Sequence, residues 1–285
     1  MTANKKNSSQ PLSLFVLLFW LLSGWFIATL FSLYAAQSFP ESGKNLRFFW
    51  LLLSELIFAA PLLFYLHRQK KLTLSKMLLT LPDMKVWKPI SLLIIGLVPI
   101  LDALDRIIIR FFPMSPEYIQ YLGELAPDSA ASWIAAILSL GFTAAIVEEI
   151  IFRGILQREV FIQTGSWQRA LIFSVLTFTM IHAVPQLFFQ IATVALILGF
   201  LALGLNSILP GMVFHLVNNI WSLFLLSRPE GSLSFYENEG LIRVPVIVLC
   251  GVFVYFAVLG LQNYISIPKA PLSANDERKG NDDAQ

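Results

Sequence analysis

The chain has 285 residues, 56% of them hydrophobic and only 13% charged, with a mean hydropathy of +0.71. A soluble domain carries about 25% charged residues, so a water-soluble globule is excluded. The formal net charge of +2 gives no basis for nucleic-acid binding, and the single cysteine, Cys250, excludes an intramolecular disulfide and a cysteine metal cluster. Apolar runs of about 17–25 residues, the length that crosses a bilayer as a helix, predict spans near 12–36, 46–66, 90–112, 131–155, 168–188, 190–205, 208–226 and 243–264. The first run is too long for a signal-peptide core and is read as a retained span. The expected fold is therefore all-α: a polytopic transmembrane helical bundle of about eight spans.

Charge in the connections sets the expected orientation, since cytoplasmic loops collect Lys and Arg. Lys5 and Lys6 precede the first span, and Arg68, Lys70, Lys71, Lys76, Lys85 and Lys88 lie between the second and third. Arg158 and Arg169 lie between the fourth and fifth, whereas 113–130 carries Glu117, Glu124 and Asp128 without Lys or Arg. Both termini are expected in the cytoplasm. Leu72–Trp87 reads either as an amphipathic helix on the inner membrane surface or as a plain basic loop. Lys269–Gln285 is polar and mixed in charge, and is expected to be disordered.

Polar residues within the apolar runs carry the functional signal, because ionisable groups at membrane depth are costly and tend to be functional. From Ala130 to Val147 there is no Asp, Glu, Lys, Arg or His; then come Glu148 and Glu149, with Arg153 four residues beyond. Glu149 and Arg153 stand one helical turn apart, with Glu first, the favourable order for an ion pair. Glu148 points about 100° away, which leaves it free to face a cavity and accept a proton from water. In the fifth span Phe178 and His182 share a helix face, and in the seventh His215 and Asn219 do the same. Two of the three histidines of the chain thus lie in apolar spans; His67 sits at a basic loop edge. Asp102 and Arg106 in the third span form another pair four apart, while Asp105 and Glu55 have no partner by sequence and are candidates to line a water-filled cavity.

Taken in order, Glu148-Glu149-x-x-x-Arg153, Phe178-x-x-x-His182 and His215-x-x-x-Asn219 resemble the three motifs of the CPBP (CAAX-prenyl-endopeptidase/bacteriocin-processing, ABI) family of intramembrane proteases. The resemblance covers about a third of the chain and implies peptide-bond hydrolysis within or beside the membrane, on a membrane-associated protein or peptide. It implies Glu148 as general base, His182 as the group that orients the water or shares its proton, and His215 with Asn219 as the oxyanion site. Glu149, Arg153 and Phe178 fall to supporting roles. No cofactor is expected. The alternative within the family is a zinc enzyme whose ligands would be Glu148, His182 and His215, although the chain has no His-Glu-x-x-His helix.

Two further readings stand beside the protease. One is a non-catalytic membrane immunity or adaptor protein of the same fold, which would not need every motif residue intact. The other is an ion-coupled transporter, for which the expected internal repeat is not seen. The organisation that follows is a cytoplasmic segment 1–11, three spans with their loops in 12–130, and a catalytic core in 131–226. An outer loop with the last span fills 227–264, and a disordered cytoplasmic tail 265–285. A prokaryotic inner membrane is the expected location.

Overall fold

Helix α1, Leu14–Ser38, and helix α2, Lys44–Arg68, open a computed structural model that describes residues 12–39, 43–72, 77–229 and 231–266. The two helices pack closely along their length. A Cβ added at Gly24 of α1 would collide with the carbonyl of Phe58 in α2, so a residue without a side chain is required there. The chain then passes through a short 3-10 turn, Met84–Val86, into α3, Trp87–Phe111. Asp83 caps that turn by accepting from the Lys85 backbone N–H. Apart from this turn, the described part of 72–86 holds no helix, which favours the loop over the amphipathic helix at that site.

A short helix, α4 (Pro116–Glu124), starts on Ser115, which caps it through the Tyr118 N–H. Helix α5 runs from Ala130 to Thr164. It begins at a capping box formed by Ser129 and Ser132. Its hydrogen bonding widens to π-helical over Ile137–Thr143 and again over Glu149–Gln157. Such widened turns recur at functional sites. Helices α6 (Trp167–Ile181), α7 (Phe188–Leu205) and α8 (Leu209–Leu226) follow. A two-residue hairpin, β1 (Glu237–Asn238) with β2 (Leu241–Ile242), leads into α9, Val244–Leu261. Helix α9 lies along α3, where a Cβ on Gly96 would come within 2.6 Å of the Cys250 carbonyl.

The chain is thus an all-α bundle, with a helix at each of the eight expected spans. Six of these helices meet the length and hydropathy of a membrane crossing on their own. The other two are α3, which carries Asp102, Asp105, Arg106 and Arg110, and α6, which is only 15 residues long. Helix α6 stops well before the expected residue 188. Ala183 takes a left-handed backbone (φ +53°), and Val184, which precedes a proline, is extended. His182 therefore caps the helix and does not lie within it. The segment 1–11 and the residues 267–285 lie outside the described part. Of the expected tail, Ile265 and Ser266 are described, and Ser266 donates its backbone N–H to the Gly204 carbonyl.

Candidate active site

Helix α5 supplies the charged centre. Glu149 and Arg153 are fully buried and paired, with Arg153 Nη1 donating to Glu149 Oε1 at 2.7 Å. Arg153 Nη2 also donates to the Ala195 carbonyl of α7, 3.2 Å away. One turn further, Gln157 Nε2 donates to the Gly199 carbonyl at 2.8 Å. Glu149, Arg153 and Gln157 thus form a buried polar stripe, and its two lower members hold α7 against α5 through backbone carbonyls. The spacing of four already points to Gln157 in the sequence. Its amide extends the same contact between α5 and α7 by one turn.

The same Glu149 oxygen takes a second contact, from His215 Nδ1 on α8 at 3.2 Å. A carboxylate paired with arginine only accepts, so the hydrogen sits on Nδ1. The ring's other nitrogen, Nε2, is then turned toward Glu148, 3.7 Å from Oε2. Glu149 consequently does two things: it neutralises Arg153 and it fixes the orientation of His215. Phe178 of α6 is buried between these groups. The Arg153 guanidinium lies 4.6 Å above its ring, and the His182 and His215 rings are 4.6 and 6.3 Å from it.

His182 is held from the other side. Its Nδ1 lies 2.8 Å from the Phe178 carbonyl, which can only accept, so this nitrogen carries the hydrogen and Nε2 is left for other partners. The turn is secured by Trp25 of α1, whose indole N–H donates to the Ile181 carbonyl at 2.8 Å. Asn219, one turn after His215 on α8, donates Nδ2–H to the Leu140 carbonyl at 2.9 Å. Leu140 belongs to the first π-helical stretch of α5. His215 and Asn219 therefore hold different partners, and the second N–H of the Asn219 amide remains for another acceptor.

A cavity of about 770 Å³ opens beside this centre, between α1, α2, α4, α5 and the end of α6. Glu148, His182 and Glu55 line it, together with an apolar wall that includes Trp25, Trp50 and Phe58; Arg47 and Glu124 stand at the α4 end. His215, Asn219 and Asp105 are not among its lining residues. Glu148 Oε2 and Glu55 Oε2 are both buried without a hydrogen-bond partner among the described residues. Of the two residues singled out as unpaired by sequence, Glu55 reaches the cavity and Asp105 does not.

The described residues include no group of three or more His, Cys, Asp or Glu side chains arranged to hold a metal ion. Both histidines have Nδ1 engaged and Nε2 open, as zinc-binding histidines do, and His215 Nε2 is 3.7 Å from Glu148 Oε2, but His215 does not line the cavity that Glu148 and His182 share. The three are not gathered as a zinc ligand set among the described residues.

The model of a protein family described as type II CAAX prenyl endopeptidase Rce1-like matches residues 130–221. That interval runs from the first residue of α5 into α8 and contains all three motifs. No curated protein and no solved structure matches the chain.

Proposed function

We propose that this chain, whose core 130–221 is of the Rce1-like CAAX endopeptidase (CPBP) family, is an intramembrane endopeptidase in which Glu148 activates the attacking water. The observation that carries this reading is the state of Glu148. It faces a cavity within the helical bundle, shares it with His182, and has a buried oxygen that no described group satisfies. A carboxylate so placed is poised to take a proton from water.

The mechanism uses the groups in turn. A water held between Glu148 and His182 Nε2 loses a proton to Glu148 as its oxygen attacks the carbonyl carbon. The negative charge that develops on the carbonyl oxygen meets the remaining N–H of Asn219 and His215, which with Nδ1–H given to Glu149 donates from Nε2 as the imidazolium. Donors fixed in advance in a water-poor site stabilise such a charge far more than water does. Glu149 and Arg153 touch no reacting atom; they hold His215 in place. The apolar wall of the cavity suits a membrane-associated protein or peptide as substrate, approached from within the bilayer. Both termini are cytoplasmic in this reading, and the membrane is a prokaryotic inner membrane.

The test is comparative proteomics of membranes from cells carrying the wild-type protein or Glu148→Ala. Precursors that accumulate only with the variant identify the substrate; identical membranes reject the protease. Purified protein treated with a chelator keeps its activity in this mechanism. Complete loss on chelation, restored by zinc, would replace the glutamate mechanism with a metal one.

A further inference from the structure

Hydrolysis of a peptide bond needs a second proton transfer, to the departing nitrogen, and Glu148 is not the only carboxyl in position to supply it. Glu55 of α2 lines the same cavity as Glu148 and His182. It is half-buried, and its Oε2 has no hydrogen-bond partner among the described residues. Its neighbour Ser54 is engaged with Ser32 and the Ala28 carbonyl in the α1–α2 packing, so the serine has a structural task that Glu55 does not share. The other charged groups lining the cavity are Glu148, His182, Arg47 and Glu124, and Arg47 is bound to Glu124. Among the described residues, the guanidinium at the active-site centre, Arg153, is committed to Glu149 and Ala195. Two carboxylates that face one cavity of low polarity, neither hydrogen-bonded to a guanidinium among the described residues, repel each other. A proton on one of them removes that cost, and a proton-bearing carboxyl is what the leaving group needs.

We propose that Glu55 is a second catalytic carboxyl, the general acid that protonates the leaving amine. The inference rests on the endopeptidase reading above. The proton balance is complete without any added reagent. Glu148 takes one proton from water as the C–O bond forms. When the C–N bond breaks, the electron pair stays on nitrogen, which receives the proton of Glu55. The cycle closes when the proton on Glu148 passes through cavity water to the Glu55 carboxylate. One water is consumed, and an acid and an amine are released.

The role predicts a dependence on the leaving group that a structural residue would not produce. The probes are a prenylated CAAX peptide and its ester analogue at the scissile bond, since an alkoxide with a low proton affinity leaves without help. In Glu55→Gln, cleavage of the peptide falls about 100-fold or more, the usual yield of a general acid, while cleavage of the ester falls far less. Glu55→Asp recovers part of the peptide activity. Equal losses on peptide and ester, or no loss on either, would overturn the assignment. Infrared spectroscopy of the purified protein gives a reading independent of turnover. The difference spectrum of wild type against Glu55→Gln shows the stretch of a protonated carboxyl that the variant lacks. Its absence from wild type at neutral pH also overturns the proposal. If wild type cleaves neither probe, the substrate reading fails, and the infrared result alone decides whether Glu55 holds the proton.

Discussion

Two guanidinium clusters stand out among the described residues, one fully buried and one half-buried, and they differ in what is left over. Around Arg106 of α3, Asp102 receives the Nε hydrogen at 2.9 Å and the Tyr236 hydroxyl at 2.8 Å, one on each oxygen. Glu237 is bound by Arg106 and by the Gly231 backbone N–H. Each carboxylate oxygen of this pair has a donor. Burial, and then the charge of Asp102, push the Tyr236 phenol up, so it remains a donor. Around Arg153 of α5 the pattern is reversed: Glu148 Oε2, Glu149 Oε2, Gln157 Oε1 and Arg153 Nε are all buried and unsatisfied. A closed cluster of the first kind ties α3 to the β hairpin. An open one of the second kind, next to a cavity, leaves acceptors for water and substrate. Buried polar groups are normally satisfied; Asp105 Oδ1 and Trp221 Nε1 are exceptions near the Arg106 cluster, but more of them gather around Arg153, where Glu148 also lines the cavity.

The sharpest break of this contrast is Arg153→Ala. It leaves Glu149 buried without its cation and unpins α7, and removing one partner of a fully buried pair costs about 4–5 kcal/mol. Thermal unfolding in detergent should show a large drop, with activity lost as well. Glu148→Gln separates the two effects. It falls within the open cluster, where Oε2 makes no hydrogen bond and only approaches His215 Nε2 at 3.7 Å, so activity should fall about 10³-fold, equivalent to about 4 kcal/mol in the barrier. The unfolding temperature should stay within about 2 °C of wild type. A Glu148→Gln protein that turns over normally would mean that the unsatisfied oxygen has no part in the reaction.

The same contrast explains what could be read from the chain alone. Pairs four apart on one helix were legible: Glu149 with Arg153, and Asp102 with Arg106, are both found as expected. Their distant partners were not, because Tyr236 and Glu237 lie more than 130 residues from Asp102 and Arg106, and nothing local in either sequence announces the meeting. Eight apolar runs gave eight helices, but the length of α6 was overestimated. Hydropathy continues past Ile181, while the backbone turns at Ala183. The π-helical turns have no signature in composition; they arise where α5 meets its neighbours, as at the Leu140 carbonyl bound by Asn219. Glu55 showed only as a lone carboxyl, and its meaning depends on the cavity that α1, α2 and α5 enclose together.

The closed cluster should behave as structure and not as catalyst. Arg106→Ala leaves Asp102 and Glu237 unneutralised, but both the arginine and Asp102 retain some solvent, with side chains 20% and 13% exposed. The cost should accordingly fall below that of Arg153→Ala, at about 2–3 kcal/mol. The cleavage rate per folded molecule, measured well below the unfolding temperature, should match wild type. A loss of catalytic rate without a loss of stability would show that the α3 cluster reaches the site, and the division between the two clusters would fail.

The smallest effect tests the closure itself. Tyr236→Phe removes one hydroxyl and leaves Asp102 with its arginine, at a cost of about 1.5 kcal/mol, the low end for a hydrogen bond to a charged acceptor because Asp102 keeps some solvent. The ring keeps its packing against Trp221, 5.5 Å away, so the loss reports the hydrogen bond and not a cavity. The change should be additive with Glu148→Gln, since separate networks do not couple. A double variant more than about 0.5 kcal/mol away from the sum would show that the two clusters communicate through α8, which carries both His215 and Trp221.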